Sequence, residues 1–382
     1  MRGFFMALAG LTVALGSLAS VHAQSPRDPV LAAYQDYRAA EQRNDLPGAE
    51  AAAAQALAAS EARDGGGGST AILAMNLAVA RMDVGHKAEA LAPARRALQL
   101  AQAGTKGVDQ LAARLIIGEA ELAVDPKADE TALLAALHEA DARPDLDASA
   151  YSAAIALADA ANHSRHWANA RLAWQSAQRH AHGALGDPTL ALGDALIGEG
   201  TALIGAENDP EARIVLTKAT TLLAPLAPET ADASHVTAGE FEYAQAWAWL
   251  SVVMSRQVAE GQNVPTGKGP LPSVMTEKAA LPGLRPLCPG RIYPTPLPTF
   301  PPDALAEYSV GAGVFRFETG DTGEVMAVIL LAAAGGDDFR QALMDPRLRW
   351  RFRQDKTSPP GCRLKSQDRL VTVIFGLGSQ MP

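Results

Sequence analysis

The sequence predicts a multidomain protein: an all-α helical solenoid followed by a small α+β domain. Three observations carry this. Alanines recur with helical spacing through residues 30–260, eleven prolines crowd residues 265–302, and apolar residues alternate with polar ones near the end of the chain. The chain has 382 residues, enough for two or three domains, and a net charge of −9. An acidic balance of this size argues against a nucleic-acid partner.

The first 23 residues read as an export signal. Arg2 supplies the positive end, Phe4–Leu18 is an uncharged apolar core, and Val21-His22-Ala23 places small residues for cleavage between Ala23 and Gln24. The alternative is an uncleaved anchor over Phe4–Val21, near the lower limit for spanning a bilayer. Only in that case would the protein be tied to a membrane. The expected location is the periplasm, with an inner-membrane anchored form as the alternative.

Residues 28–260 form the helical region. In "LAMNLAVARMDVGHKAEALAPARRALQL" one helix carries Leu77 and Ala78, the chain turns at Gly85, and a second helix carries Ala90, Ala94 and Ala97. Small residues there let two antiparallel helices approach closely. The pattern repeats at Ala49, Ala170 and Ala212, with turns such as Asn44-Asp45, and an irregular copy fits near Thr131–Ala136. Ala49 and Ala90 are 41 positions apart, Ala170 and Ala212 are 42 apart. These pairs resemble tetratricopeptide (TPR) repeats with lengthened helices. Gly239–Val258 is expected to be a last, unpaired helix whose aromatics cover the open end of the stack. "DGGGGST" at 64–70 is expected to be a flexible loop, and it lacks the lysine of a phosphate cradle.

Residues 261–289 read as a proline-rich linker that precludes a continuous helix. Residues 290–382 then change to α+β. "GAGVFRFETGDTGEVMAVILLAA" gives two strands around Gly320–Gly323, and "DDFRQALMDP" gives a short helix capped by Asp337 or Asp338. In "RLRWRF" the residues Arg347, Arg349 and Arg351 fall on one side of a strand, with Leu348, Trp350 and Phe352 on the other. In the final strand, Asp368–Leu377, Val371, Val373 and Phe375 share one face, with Thr372 and Ile374 on the other.

The order of these pieces resembles the C-terminal domain of TonB-type energy transducers. It has Tyr293-Pro294, Pro301-Pro302-Asp303-Ala304, Gly313-Val314-Phe315-Arg316-Phe317, Gly323-Glu324-Val325, Ala342-Leu343, Arg349-Trp350-Arg351-Phe352 and Val371–Phe375. The resemblance covers about the last quarter of the chain. It implies a core of Val314, Phe315, Phe317, Trp350 and Phe352. It also implies that an extended peptide, an outer-membrane transporter segment in the family, adds to the last strand at Val371, Thr372, Val373, Ile374 and Phe375. The chain departs from the family in its cleavable-looking N-terminus and in having helical repeats where a charged proline spacer is usual.

The two cysteines, Cys288 and Cys362, are expected to form one disulfide in an exported protein. No cofactor is expected. His163, His166, His180 and His182 cluster in the sequence but read as solvated helix ends rather than a metal site. Gly261–Gly269 approaches a phosphate loop, but the spacing is one residue too long and Gly269 stands where Ser or Thr is needed. No G-x-S-x-G, H-E-x-x-H or C-x-x-C is present. The basic stripe from Arg347 to Arg353 reads as a wet strand face, with an acidic peptide or peptidoglycan as its other reading. The expected function is that of a non-enzymatic periplasmic interaction protein. The alternative is a membrane-anchored TonB-type energy transducer for outer-membrane transport.

Overall fold

The computed structural model describes residues 28–184, 186–226, 236–259, 285–306 and 309–375. The export signal, its cleavage point at Ala23 and Gln24, residues 261–284 of the linker and the end of the chain from 376 lie outside them. The described chain is a long helical region followed by two small antiparallel sheets. It divides into two compact units between Ala195 and Leu196.

The first unit is built from helical hairpins. α1 (Pro29–Gln42) packs on α2 (Leu46–Asp64), α3 (Gly68–Val84) on α4 (Lys87–Gln102), α5 (Gln110–Val124) on α6 (Thr131–Ala140), and α7 (Asp147–His163) on α8 (Trp167–His180). Short turns force the members of each pair antiparallel. The expected alanines sit at the contacts: Ala90, Ala94, Ala97, Ala136 and Ala170 are fully buried, and Ala49 nearly so. A methyl group is small enough for helix backbones to come close, and leucines such as Leu77 and Leu137 fill the spaces between.

One turn is used repeatedly. Asn44, Gly85 and Arg165 each take a left-handed conformation (φ 56°, 91° and 60°). The next residue's N–H then donates five residues back: Asp45 to Ala40 O at 2.9 Å, His86 to Arg81 O at 2.8 Å, His166 to Ala161 O at 2.8 Å. This closes the carbonyl end of the first helix and reverses the chain. The α5–α6 turn differs, because Asp125 is extended (φ −136°), which accounts for the irregularity seen in its sequence. The glycine run is shorter as a connection than expected. Gly65 ends α2 at φ 62°, and α3 already starts at Gly68.

α9 (Pro188–Gly205) crosses the division between the units. In the second unit the same turn recurs at Glu207 (φ 58°), with Asn208 N–H donating to Leu203 O at 2.9 Å, and leads into α10 (Asp209–Leu223). α11 (Ala238–Ala259) packs on α10 and also on the sheet, so it is not the unpaired end of a stack.

That sheet has the order β3-β2-β5, from β2 (Gly311–Thr319), β3 (Val325–Ala334) and β5 (Ser366–Phe375), all antiparallel. Ala244, Ala248 and Val252 of α11 cover one face, meeting Val310, Ala312, Val314, Leu331 and Ala332. Phe315, Phe317, Val371 and Phe375 form the other face. It is covered by α12 (Pro302–Ala306), α13 (Asp337–Leu343) and a two-stranded ribbon of β1 (Gly290–Thr295) and β4 (Arg349–Gln354). α13 lies close to β2 because Gly311 and Gly313 carry no side chain. A Cβ at Gly311 would sit 2.3 Å from the Phe339 ring. Gly336, not an aspartate side chain, occupies the cap position of α13, and Asp337 and Asp338 lie in its first turn, where negative charge favours the positive helix end.

The sequence placed the domain change at the prolines of 261–289, whereas the compact division falls at residue 195/196. The reason is packing: the small-residue stripe of α11 is spaced four residues apart, so a single helix face can lie flat against the sheet.

Candidate functional site

β5 is an edge strand. Its only partner among the described strands is β2, in a register that sets Val373 opposite Gly313 and Phe375 opposite Gly311. The side away from β2 has no ladder partner there, so part of the backbone N–H and C=O groups of β5 remains available to an added strand. Val371 is buried, Val373 packs with Phe315 and Phe375 on the α13 face, and Ile374 packs on the α11 face. The expected face assignment of Val371, Thr372, Val373, Ile374 and Phe375 is therefore what the sheet shows.

Val371 and Thr372 of β5 line an open groove of about 400 Å³. Its other lining residues are buried Ile292 and exposed Arg291, Tyr293 and Arg353, and Val371 is the buried one of the two from β5. Its position follows from the ribbon. The alternation of β1 sends Ile292 and Pro294 inward and Arg291, Tyr293 and Thr295 outward. β4 does the same. Trp350 lies with its ring 4.7 Å from that of Phe315 and 4.9 Å from that of Phe317, and Phe352 joins the same cluster. Arg349, Arg351 and Arg353 are exposed. The sequence's two-sided reading of this segment holds, with Leu348 buried and Arg347 exposed but paired to Asp345.

Of the expected core residues, Phe315, Phe317, Trp350 and Phe352 share the ribbon-covered face, and Val314 is fully buried on the opposite face against α11. Cys288 and Cys362 are bonded to each other, with Cα atoms 4.9 Å apart. The bond ties the segment entering β1 to the loop before β5, beside a parallel bridge between Leu287 and Arg363. It thereby holds both sides of the groove.

A buried ion pair was not foreseen. Arg316, on the α11 face of β2, donates through Nη1 to both carboxylate oxygens of Glu240 on α11, at 2.9 and 2.7 Å, and both side chains are almost fully buried. The signal was an arginine between two phenylalanines in a central strand. A charge there requires an opposite charge nearby.

The histidines are not simply solvated. Buried His180 has Nδ1 2.6 Å from Asp147 Oδ1, and His182 Nε2 lies 2.5 Å from the other oxygen of that carboxylate. His166 Nδ1 lies 3.0 Å from Glu130. No group of three metal-ligating side chains converges among the described residues. Nearer the start of the chain, Asp83 is pushed up to about 7, first by burial and then by the negative charges of Glu41 and Glu119. One of its oxygens is buried without a hydrogen-bond donor. The loop-like Gly261–Gly269 lies outside the described residues.

No helix of the described residues is long and apolar enough to cross a membrane. Neither a scan against protein-family models nor a search of curated proteins returns a match to this chain.

Proposed function

We propose that this chain is a non-enzymatic periplasmic interaction protein whose C-terminal domain, TonB-like in its order of motifs, takes up an extended peptide as an added strand along β5. The observation carrying this reading is that β5 stands at the edge of its sheet among the described strands, with Val371 and Thr372 lining a groove they share with Ile292 and Tyr293 of β1. The TPR-like hairpins would hold a second protein. The Cys288–Cys362 bond fits an oxidising compartment. A peptide from an outer-membrane transporter is the partner the resemblance implies. Retention of residues 4–21 would instead fit the anchored transducer, and the intact mass of the exported protein separates the two.

A displayed library of random peptides selected on the purified chain tests strand addition. Enriched peptides should slow amide hydrogen exchange in Val371–Phe375. Thr372→Pro should abolish their binding, because proline cannot donate to a ladder. Bound peptides that leave the exchange of this strand unchanged would overturn the reading, and so would a selection that enriches nothing.

A further inference from the structure

The ribbon beside the groove carries an unusual charge arrangement. Arg291 on β1 stands directly opposite Arg353 on β4, Tyr293 opposite Arg351 and Thr295 opposite Arg349. All four arginines are exposed on one face. None is within 4.0 Å of a carboxylate among the described residues, unlike the neighbouring Arg347, which is paired with Asp345. Like charges directly opposite in an antiparallel pair are destabilising. Here the repulsion has no counter-charge among the described residues, in a chain whose net charge is −9.

We infer that this face selects an acidic peptide: the segment added along β5 carries carboxylates at alternating positions that meet Arg291, Arg353 and the arginines further along the ribbon. The inference rests on the strand-addition reading above and names its partner class. Three features support a carboxylate-bearing strand. First, Arg349, Arg351 and Arg353 repeat every second residue, roughly 6.8 Å apart, which is the spacing of same-face side chains in an extended peptide. Second, the cations are all arginine, whose planar donor fork matches a carboxylate with two parallel bonds. Third, Arg291 and Arg353 line the groove itself together with half-exposed Tyr293, a residue type enriched at binding hot spots.

The test uses the full chain and two synthetic eight-residue peptides of equal hydrophobicity, one with Asp and one with Lys at alternate positions. The acidic peptide should bind about tenfold or more tightly than the basic one at low salt, and this preference should shrink as salt rises. The double variant Arg291→Glu/Arg353→Glu should reverse the preference. These residues are exposed, so the variant is expected to fold, and its melting temperature provides the check. Both peptides binding equally, with exchange protection of Val371–Phe375, would keep strand addition and overturn the acidic preference. Charge-dependent binding without that protection would overturn the placement along β5. Isolated peptidoglycan sacculi form the third arm. Arginine-dependent pelleting with sacculi, and no binding of the acidic peptide, would assign the face to a glycan surface and overturn the peptide.

Discussion

Glu240 and Arg316 meet inside the second unit, 76 positions apart in sequence, with the carboxylate accepting from Nη1 at 2.9 and 2.7 Å. Their pairing links the first turn of α11 to the middle of β2. Because α11 also packs on α10, the last helices and the sheet are held as one body. α10, α11 and the sheet all fall within the unit that begins at Leu196.

Breaking this pair should be costly and replacing it should not. Glu240→Ala takes away the carboxylate that accepts from the buried Arg316 Nη1 and is expected to destabilise the second unit by about 3–5 kcal/mol. The double change Glu240→Leu/Arg316→Met replaces both charges with apolar groups and should recover most of that loss. Chemical denaturation of the single and double variants gives the comparison. Equal destabilisation by both would mean that the pair contributes net stability beyond mutual compensation.

The same packing predicts the fate of a cut chain. A protease site inserted after Gly269 should yield two pieces that stay together in gel filtration, since α11 covers the sheet through Ala244, Ala248 and Val252. They should separate only under denaturing conditions. Pieces that elute apart in native buffer would show that α11 adds little to the sheet.

How much of this was legible depends on whether the signal was local. Ala49, Ala90, Ala170 and Ala212 marked the hairpins because a helix contact repeats every three or four residues and the turn recurs at fixed spacing. The alternation in 347–352 gave both faces of β4, since strand sides follow directly from parity. The Cys288–Cys362 pairing was fixed by there being two cysteines. The position of α11 was not legible. Its alanine stripe suits a helix or a sheet equally, and only its long-range partner decides which. The groove was missed for a similar reason, because β1 and β5 approach each other across about 70 residues of intervening chain. Tyr293 belongs to a recognisable Tyr-Pro step in the sequence, while its exposure opposite Arg351 depends on ribbon register.

Asp83 should make the helical region more stable at mildly acid pH. Its folded value, about 7, lies above its ordinary 3.8. Between those two values the folded chain binds more protons than the unfolded one, so stability falls as pH rises through this window. Above about pH 7 the folded carboxyl is ionised too and the slope from this group ends. The cause is burial, reinforced by Glu41 and Glu119. Asp83→Asn removes the ionisation. Its melting temperature should exceed that of the wild type at pH 8 and nearly match it at pH 4. A variant that is less stable than the wild type at pH 8 would show that the Asp83 charge is favourable in place.

The disulfide should matter more to the groove than to the helices. Cys288 and Cys362 are 74 positions apart and enclose β1 to β4 in one covalent loop. By chain-entropy reasoning, closing a loop of that length restricts the unfolded chain enough to stabilise the fold by about 4 kcal/mol. That is a large share of the roughly 5–15 kcal/mol that holds a typical domain together. The bond also fixes the register of neighbouring backbone, where Cys288 N–H donates to Arg363 O at 2.8 Å and Arg363 N–H to Pro286 O at 2.9 Å. The paired change Cys288→Ser/Cys362→Ser is expected to destabilise the second unit by about 2–5 kcal/mol and to weaken peptide binding, because β1 and the loop before β5 lose their tie. Hairpins α1–α8 should melt as before. Thiol labelling of oxidised protein should find no reactive cysteine, and the paired variant's unfolding curve supplies the energy. Two labelled thiols without reductant would show that the bond is absent, and an unchanged unfolding midpoint would show that the loop it closes contributes little.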